Sequence, residues 1–450
     1  MAHELRIVVE KVAVSSQEVV KRDTIKVFDI ESPESILDLG LRHEQQISLL
    51  QKVQNALLAE QSVLIKTGAD TCPKCGGKLK KYGARESDFH AVFSDHKLRV
   101  QKHVCGHPDC RWQSSPSIKA LFGTNIHPDL AKLQCEQGAL FSFREAQSNL
   151  DKLNCGHRPV NNHTQVKRIA NKVGDVLTDR TIQPPLREDC ASPAEELIIQ
   201  VDGGHVPIQE KYKRSFEALS ATVYSPDAIE QVDKHHRQIA NKTCVVSAKK
   251  DKLKTMKSFV IHAALKQGLS KATQVTVLAD GANNCWSVLK DIPKYCDRMV
   301  CILDWFHIGM KFQNLKSALA ESYEDELERV KWTLWHGKAK EALGKLASIQ
   351  ESMTDDEKQK KVNTLYNFLK RNQQYIVNYE QRKQASLTFT SQVAESHIES
   401  LINARQKRSK KMQWSRDGAH QVLQIRAKME SKEWNTLWQD TVIAALGIAA

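Results

Sequence analysis

Five short apolar segments between residues 195 and 304, three of which end in aspartate, constrain the fold of the chain most strongly. The segments are EELIIQVD (195–202), FEALSATVY (216–224), KTCVVSAKK (242–250), QVTVLAD (274–280) and RMVCILD (298–304). Their length and apolar character predict buried strands. Residues 255–268 and 285–292 predict helices between them. Strands followed by strand–helix–strand units predict an α/β fold, with a mixed sheet and helices on its faces.

The rest of the chain divides by pattern. Residues 5–14 predict a strand, and residues 42–60 predict a helix with four apolar residues on one face: Ile47, Leu50, Val53 and Leu57. The predicted regions are a strand and helix region (1–62), a cysteine-rich module (66–118), a helical region (125–182) and a sheet-containing domain (194–450) that includes an all-helical stretch at about 308–390.

The charge of the chain favours a polyanionic partner. Its 450 residues include 66 Lys and Arg against 53 Asp and Glu, which gives a formal net charge of +13. Binding to phosphates releases counterions, so a basic excess suits nucleic acid, although solubility alone also accounts for such a charge. The sequence contains no apolar run of about 18 residues, which is the length that would predict a membrane span. The start, MAHELRIVVEKV, lacks the layout of a signal peptide, so we expect a cytoplasmic protein.

Four of the eleven cysteines are paired in the sequence, as Cys72-x-x-Cys75 and Cys105-x4-Cys110. The first pair lies in CPKCGG, where the glycines permit a tight turn and backbone N–H groups can point at the sulfurs. Two such knuckles can place four thiolates around a structural zinc ion, with His107 as a possible substitute for one thiolate. The alternative is four reduced surface thiols.

A pair of helices follows the cysteine-rich module. Residues 138–153 and 163–177 predict helices joined by the turn CGHRPVNN. Such a pair is typical either of a helix-turn-helix DNA-binding region or of an ordinary helical hairpin, and the connection is longer than the usual three or four residues. In the first case the second helix would present polar and basic side chains to DNA: Thr164, Lys167, Arg168 and Lys172.

Two aspartates occupy matching positions after predicted strands. Asp202 ends the strand in IIQVDGGHV, and Asp280 ends the strand in VTVLADGANN. Carboxylates held at the rim of a sheet are the ligands that Mg²⁺ prefers. Taken singly, each aspartate is more commonly a turn residue, because Asp-Gly pairs favour turns. Residue chemistry alone does not choose Glu395 as a third ligand, because Glu399 lies one helical turn later.

The chain resembles insertion-sequence transposases of the ISKra type, which are related to the Mutator-like superfamily. The segments that carry the resemblance are IIQVDGGHV, VLADGANN, ILDWFHI, VAESHIESLINAR and KKMQWSRDGAHQVLQIR. The resemblance implies an RNase H-like catalytic domain in which a DDE triad binds two Mg²⁺ or Mn²⁺ ions. By motif, the triad falls on Asp202, Asp280 and Glu395. An all-helical insertion between the second and third acids is also implied, and residues 308–390 fit it.

The related superfamily carries a Cys/Asp-x-x-His signature after the second acid, and Asp304-x-x-His307 matches it. His307 is expected either to support the metal site and the scissile phosphate or to make a structural hydrogen bond with Asp304.

A basic segment lies between the predicted helices of residues 391–429. Its cations and one aromatic residue fit a track for DNA phosphates, although charge runs are usually solvated: Arg405, Lys407, Arg408, Lys410, Lys411, Trp414 and Arg416.

The resemblance implies DNA cleavage and strand transfer at the ends of an insertion sequence. The expected partners are terminal inverted repeats and target DNA, both double-stranded, and a further copy of the chain, because two DNA ends must be joined. A nuclease of RNase H fold without strand transfer and a zinc-ribbon DNA-binding regulator remain alternatives.

Overall fold

The computed structural model describes residues 3–65, 70–233, 237–319, 323–392, 399–409 and 412–443. The chain divides into two compact units, the first formed by residues 1–173 and 436–450 and the second by residues 174–435. Among the described helices, none combines the length and the apolar character needed to cross a membrane.

The strands of the described chain are β1 (His3–Val12), β2 (Val19–Ile30), β3 (Leu79–His90), β4 (Asp95–Cys105), β5 (Gln113–Ser114), β6 (Glu196–Pro207), β7 (Ser215–Tyr224), β8 (Ile229–Gln231), β9 (Arg237–Ile239), β10 (Thr243–Ser247), β11 (Gln274–Ala279) and β12 (Arg298–Leu303).

The α-helices are α1 (His43–Leu64), α2 (Ile118–Phe122), α3 (Pro128–Leu140), α4 (Phe143–Leu153), α5 (His163–Ile182), α6 (Lys254–Lys266), α7 (Asn283–Val288), α8 (Trp305–Leu319), α9 (Glu324–Trp335), α10 (Ala339–Glu351), α11 (Asp356–Arg371), α12 (Tyr379–Gln384), α13 (Ala404–Gln406), α14 (Arg416–Glu430) and α15 (Trp434–Leu437). A 3₁₀ helix, Leu289–Lys294, continues α7, and a π-helical turn, Glu399–Asn403, leads into α13.

The first unit contains an antiparallel hairpin, β1–β2, and a three-stranded sheet in the order β3-β4-β5. Helix α1 forms as predicted, but its buried face differs from the prediction. Ile47 is buried as predicted, and Leu58 packs with Leu98 and Val100 of β4, whereas Leu50, Val53 and Leu57 remain exposed. The predicted apolar face is therefore only partly buried.

The predicted helix at 138–153 is divided in the structure. Helix α3 ends at Leu140, and α4 begins at Phe143 behind the N-cap residue Ser142. The Ser142 hydroxyl accepts a hydrogen bond from the Glu145 N–H at 3.3 Å, and the Glu145 carboxylate accepts one from the Ser142 N–H at 2.9 Å. This reciprocal capping box starts a new helix within the apolar pattern.

The second unit is built on a five-stranded mixed sheet in the order β10-β7-β6-β11-β12. Strand β7 is antiparallel to both of its neighbours, β6 and β10, while β11 is parallel to both β6 and β12. The predicted mixed sheet with helices on its faces is therefore present.

Each face of this sheet carries its own hydrophobic cluster. On one face, Leu197, Ile199 and Val277 pack with Phe259 and Val260 of α6. On the other, strand residues pack with helices α8 to α11 in a single cluster that includes Ile198, Leu278, Ile302, Phe312 and Leu365. The helical stretch predicted at about 308–390 is thus a covering layer of the sheet, because its apolar residues share one core with the strands.

Helix α14 covers the outer edge of β10. Side chains of α14 and of its C-cap residue bond backbone groups on the outer side of β10 and of Ala248. The Ser431 hydroxyl accepts from the Cys244 N–H at 2.8 Å, the Gln424 amide donates to the Val246 carbonyl at 2.9 Å, and His420 Nδ1 accepts from the Ala248 N–H at 3.3 Å. An edge strand normally exposes such groups, so α14 protects the sheet from pairing with other strands.

The covering helix is itself held by a close crossing with α5. A Cβ atom at Gly174 would lie 2.3 Å from the backbone oxygen of Gln421, so only glycine permits this approach. Gln421 also donates to both carboxylate oxygens of Asp175 at 2.9 Å.

We predict that Gly174→Ala destabilises the second unit by about 2–3 kcal/mol, because the helices must separate to admit a methyl group. Gly344→Ala is the matched control, since a Cβ atom at Gly344 in α10 would meet no other atom within 4 Å. This control should gain roughly 0.5–1 kcal/mol from helix propensity. Denaturant unfolding of both variants measures the difference, and equal stabilities would contradict the crossing.

The buried His420 ring should make stability depend on pH. Burial lowers the pKa of His420 to about 4. Nδ1 accepts from the Ala248 N–H, and Nε2 lies 3.1 Å from the Thr178 hydroxyl, which itself donates to the Gly174 carbonyl. The neutral ring that carries its proton on Nε2 satisfies every partner, whereas a proton on Nδ1 would face another donor.

We therefore predict an acid-induced loss of stability. The unfolded chain takes up the His420 proton near pH 6.5, so the contribution of this residue, roughly 2–3 kcal/mol, is complete above that pH and is lost as pH falls toward 4. His420→Gln should flatten the pH profile of the unfolding free energy over this range. His3→Gln, at an exposed position on β1, is the matched control.

Candidate functional site

The four paired cysteines converge in the first unit. The Sγ atoms of Cys72, Cys75, Cys105 and Cys110 all lie within 4.8 Å of one another, and they form the one such group found among the described residues. Cys72 and Cys110 are 3.8 Å apart, and Cys75 and Cys105 are 3.4 Å apart. Sulfurs bound tetrahedrally to zinc at about 2.3 Å would be separated by about 3.8 Å, so the four thiols fit zinc.

Local backbone geometry builds the first knuckle. The Gly76 N–H donates to the Cys72 carbonyl at 2.8 Å, and Gly76 has a φ of 71°, which favours glycine. A Cβ atom at Gly77 would lie 3.4 Å from the sulfurs of both Cys75 and Cys105. Gly76 is therefore needed for the turn, whereas a Cβ atom at Gly77 would make only van der Waals contact with these sulfurs.

The second knuckle is held by the sheet. Cys105 is the last residue of β4 and pairs with Leu79 of β3. The His107 N–H points at the Cys105 sulfur at 3.4 Å, while the His107 ring is exposed and its Nδ1 accepts from the Asp109 N–H. The cluster thus consists of four cysteines, and His107 does not replace any of them. Although burial opposes it, hydrogen bonds from the Lys74 and Cys75 N–H groups lower the pKa of Cys72 to about 7.

We predict that Cys72→Ser abolishes stoichiometric zinc binding and unfolds the β3–β4–β5 module, because three thiolates cannot close a structural site. Metal analysis of the purified protein and limited proteolysis measure the two effects. Cys155→Ser, at an exposed cysteine outside the cluster, should behave as wild type. One zinc ion per chain retained by the Cys72 variant would count against the assignment.

The two aspartates predicted as a pair lie at one edge of the mixed sheet. Val201 of β6 is the register partner of Ala279 of β11, so Asp202 and Asp280 follow on adjacent parallel strands. Leu303 of β12 is the register partner of Ala279 on the other side, which brings Asp304 to the same edge. Parallel pairing in this register therefore brings three carboxylates from distant parts of the sequence to one edge.

The glycines that follow Asp280 and Asp202 have different structural roles. Asp280 is followed by a turn, in which Gly281 has a φ of 90°. Asp202, in contrast, does not end its strand, because β6 continues to Pro207 and pairs with β7 from Ile198 to Pro207. The glycines that follow Asp202 admit neighbouring side chains. A Cβ atom would lie 2.5 Å from a Glu217 oxygen at Gly203 and 2.8 Å from Ile402 at Gly204.

His307 lies between two carboxylates of this edge. Its Nε2 is 3.7 Å from Asp202 Oδ2 and 3.6 Å from Asp304 Oδ2, which is an ion-pair separation and too long for a hydrogen bond. Asp304 is buried, and its carboxylate accepts hydrogen bonds from the Ser391 N–H, the Ser391 hydroxyl and the Phe306 N–H. The expected structural hydrogen bond between His307 and Asp304 is therefore absent from this geometry.

The surroundings of the Asp202 carboxylate oppose its ionisation. Burial raises its pKa, and the charges of Asp280 and Asp304 raise it further, while His307 opposes them. A cation placed at this edge would favour the ionised form of Asp202.

A further acid, Glu217, was missed by the sequence analysis. It lies on β7 opposite His205, its side chain packs over Gly203, and it accepts a hydrogen bond from the Asn284 amide. Burial raises the pKa of Glu217, and the charge of Asp280 contributes in the same direction. The sequence did contain a signal for Glu217. It is a charged residue that alternates with the core residues Leu219 and Ala221 on the same face of β7.

Three of the predicted site residues lie outside the described residues: Glu395, Lys410 and Lys411. The carboxyl edge of the sheet is therefore described through Asp202, Asp280, Asp304, His307 and Glu217.

The predicted basic face of α5 is solvent-exposed. Thr164, Lys167, Arg168 and Lys172 all lie on the exposed side of the helix. The opposite side is buried through Val166, Ala170 and Val173. The connection from α4 to α5 contains a 3₁₀ turn, Pro159–Asn161.

Only some side chains of the basic segment 405–416 are exposed to solvent. Arg405 is 1% exposed, lies 4.7 Å above the Trp414 ring and donates to the Met412 sulfur. Trp414 is 6% exposed, and its backbone N–H donates to Pro207 at the end of β6. The prediction that these two residues contact DNA is wrong for this structure, because both form the interior of a folded loop. Lys407 and Arg408 are exposed.

Arg416 is half-buried. Its guanidinium lies 4.6 Å above the Phe216 ring and donates to the Ala248 carbonyl at 3.3 Å.

Comparison with known families gives one match. The family described as "Uncharacterised protein family (UPF0236)" matches residues 127–438, which is more than half of the chain. The chain belongs to the UPF0236 family. The UPF0236 match includes α5 and the whole mixed sheet with its acidic edge, and it begins after the four-cysteine cluster. No curated protein matches the chain.

Proposed function

We propose that this chain is a DDE transposase, which cleaves and joins DNA at the ends of an insertion sequence. The observation that carries the proposal is the placement of Asp202 and Asp280 side by side at the carboxyl edge of parallel strands, with His307 beside them. Glu395 is proposed as the third acid on the resemblance to ISKra-type transposases.

The donor set fits divalent metal ions of the Mg²⁺ type, because it consists of carboxylate oxygens at a partly open rim. Bound there, two such ions would supply activation of the attacking oxygen and stabilisation of the leaving oxygen. Asp202 and Asp280 would hold the cations, and His307 would lie within reach of the scissile phosphate. The proposed reaction is hydrolysis that frees a 3′-hydroxyl, followed by attack of that hydroxyl on target DNA.

An RNase H-like identity for the second unit is part of this proposal. The mixed sheet with one antiparallel strand, flanked on both faces by helices, is compatible with it. The helices within residues 308–390 are proposed to form the all-helical insertion that the resemblance implies.

The first unit is proposed to bind the terminal inverted repeats. A zinc ribbon formed by the four cysteines and the exposed basic face of α5 are suited to contact DNA, and the net charge of +13 favours association with phosphates. Joining two DNA ends requires the protein to hold both ends at once, so we expect a dimer or larger assembly on DNA.

A DNA-binding regulator is a second candidate. The cysteine cluster and the α5 face lie in a part of the chain that does not include the acidic edge, so they could bind DNA without catalysis. A nuclease that does not join DNA shares the acidic edge, and detection of strand-transfer product separates it from a transposase.

We predict that the wild-type protein cleaves DNA carrying the flanks of its own gene in the presence of Mg²⁺, and that Asp280→Asn binds this DNA but cleaves it more than about 100-fold more slowly. Asp297→Asn is the matched control, because it makes the same charge change at an exposed residue beside the opposite end of β12. Gel analysis of cleavage and strand-transfer products measures the result.

Equal cleavage by wild type and Asp280→Asn would show that the acidic site is misassigned. Undiminished cleavage in excess EDTA would exclude the metal-dependent reaction. DNA binding by wild type without cleavage under any metal would favour the regulator.

A further inference from the structure

We infer that the loop of residues 249–254, KKDKLK, binds backbone phosphates of the DNA strand that lies at the acidic edge. This segment, called the lysine loop below, follows β10 and leads into α6. The inference rests on the proposed function, since it assigns the neighbouring part of the same DNA path. None of the lysines of the loop was selected from the sequence.

The sheet places the lysine loop at the same edge as the acids. Strand β10 runs parallel to β6, because both are antiparallel to β7. Ser247 is the register partner of Leu219, and Leu219 is the register partner of Gly203, the residue after Asp202. Two strand spacings separate β10 from β6, so the loop leaves the sheet about 10 Å from the strand that bears Asp202.

Most cations of the loop have no ion-pair partner among the described residues. Lys250, Lys252 and Lys254 are exposed, and none of them forms a salt bridge with another described residue. Lys249 pairs with Asp417 at 3.1 Å, but the Asp417 side chain is 75% exposed, so this pair is open to exchange with a phosphate. Exposed lysines at this density repel one another, and a polyanion relieves that repulsion.

A cavity of about 220 Å³ lies between the loop and Glu217. Four cations line it, Lys249, Lys250, Lys252 and Arg416, together with the acids Glu217 and Asp251. Glu217 packs over Gly203, so the cavity lies against the residue that follows Asp202. The cavity lies on the α6 face of the sheet, whereas Asp202 shares the opposite face with Ile198. A strand whose phosphate enters the cavity would therefore reach Asp202 by crossing the rim of the sheet.

The loop backbone is held in an uncommon conformation. Lys252 and Leu253 have φ values of 54° and 67°, in the left-handed region that non-glycine residues rarely adopt. Asp251 fixes this turn, because its carboxylate accepts from both the N–H and the hydroxyl of Thr255 in α6. Such strain persists where the surroundings maintain it, and it is often found at ligand-binding sites. Here it keeps Lys250 and Lys252 at the mouth of the cavity.

The test measures the salt dependence of DNA binding for a double variant, Lys250→Ala with Lys252→Ala. The matched control is Lys340→Ala with Lys361→Ala, which removes two exposed lysines from α10 and α11. Full-length proteins are titrated into a labelled duplex of random sequence without divalent metal, and anisotropy gives the affinity at several salt concentrations. Circular dichroism establishes that each variant is folded.

Each phosphate contact adds about 0.9 to the slope of log affinity against log salt. We expect the lysine-loop variant to lose about 1.8 from this slope and to bind several-fold more weakly at moderate salt, while the control keeps the wild-type slope. An unchanged slope in the lysine-loop variant, or an equal loss in the control, would overturn the inference.

The cleavage assay separates this result from the proposed function. Normal metal-dependent cleavage by wild type together with an unchanged slope rejects the lysine loop and leaves the transposase proposal standing. A reduced slope without cleavage by wild type supports the phosphate site and rejects the catalytic role. Failure of the wild-type protein to bind duplex DNA rejects both.

Discussion

The parallel pairing of β11 with both β6 and β12 determines how the second unit is organised. The register Val201–Ala279–Leu303 brings Asp202, Asp280 and Asp304 to one edge, although they are far apart in the sequence. Parallel strands need covering on both faces, and this requirement explains why α6 packs on one side and α8 to α11 on the other. A shift of one residue would turn each inward side chain to the opposite face, so the cores and the acidic edge depend on the same register.

The sequence predicted this organisation because its signals were local. Short apolar segments that end in Asp are visible without any knowledge of pairing, and two cysteine pairs identify a metal cluster through their spacing. The extent of β6 could not be predicted in the same way. The sequence DGG (202–204) suggests a turn, but both glycines pair with β7 within the strand. Glu217 and Ile402 occupy the space where side chains at these two positions would lie. That use of glycine depends on residues from β7 and from the C-terminal part of the chain.

Burial of individual residues was the least predictable property. Arg405 and Lys407 look alike in a basic segment, yet Arg405 packs on Trp414 inside a folded loop while Lys407 is exposed. The same difficulty applies to α1, where four apolar residues with helical spacing predicted a buried face. Ile47 is buried, but Leu50, Val53 and Leu57 stay in solvent, because the apolar side chains of β4 pack on Leu58 instead. Both outcomes were decided by tertiary partners, which neither charge nor periodicity reveals.

The cover that α14 provides for β10 has a consequence for synthesis of the protein. Strand β10 is complete at Ser247, but Gln424 and Ser431, which bond its outer backbone groups, are translated much later. During that interval the nascent chain carries an open strand edge, which is a template for pairing with other chains. A ribosomal product that stops before α14 would therefore be prone to aggregation even with every strand of its sheet present. Helix α14 therefore closes this edge only after every strand of the sheet has been translated.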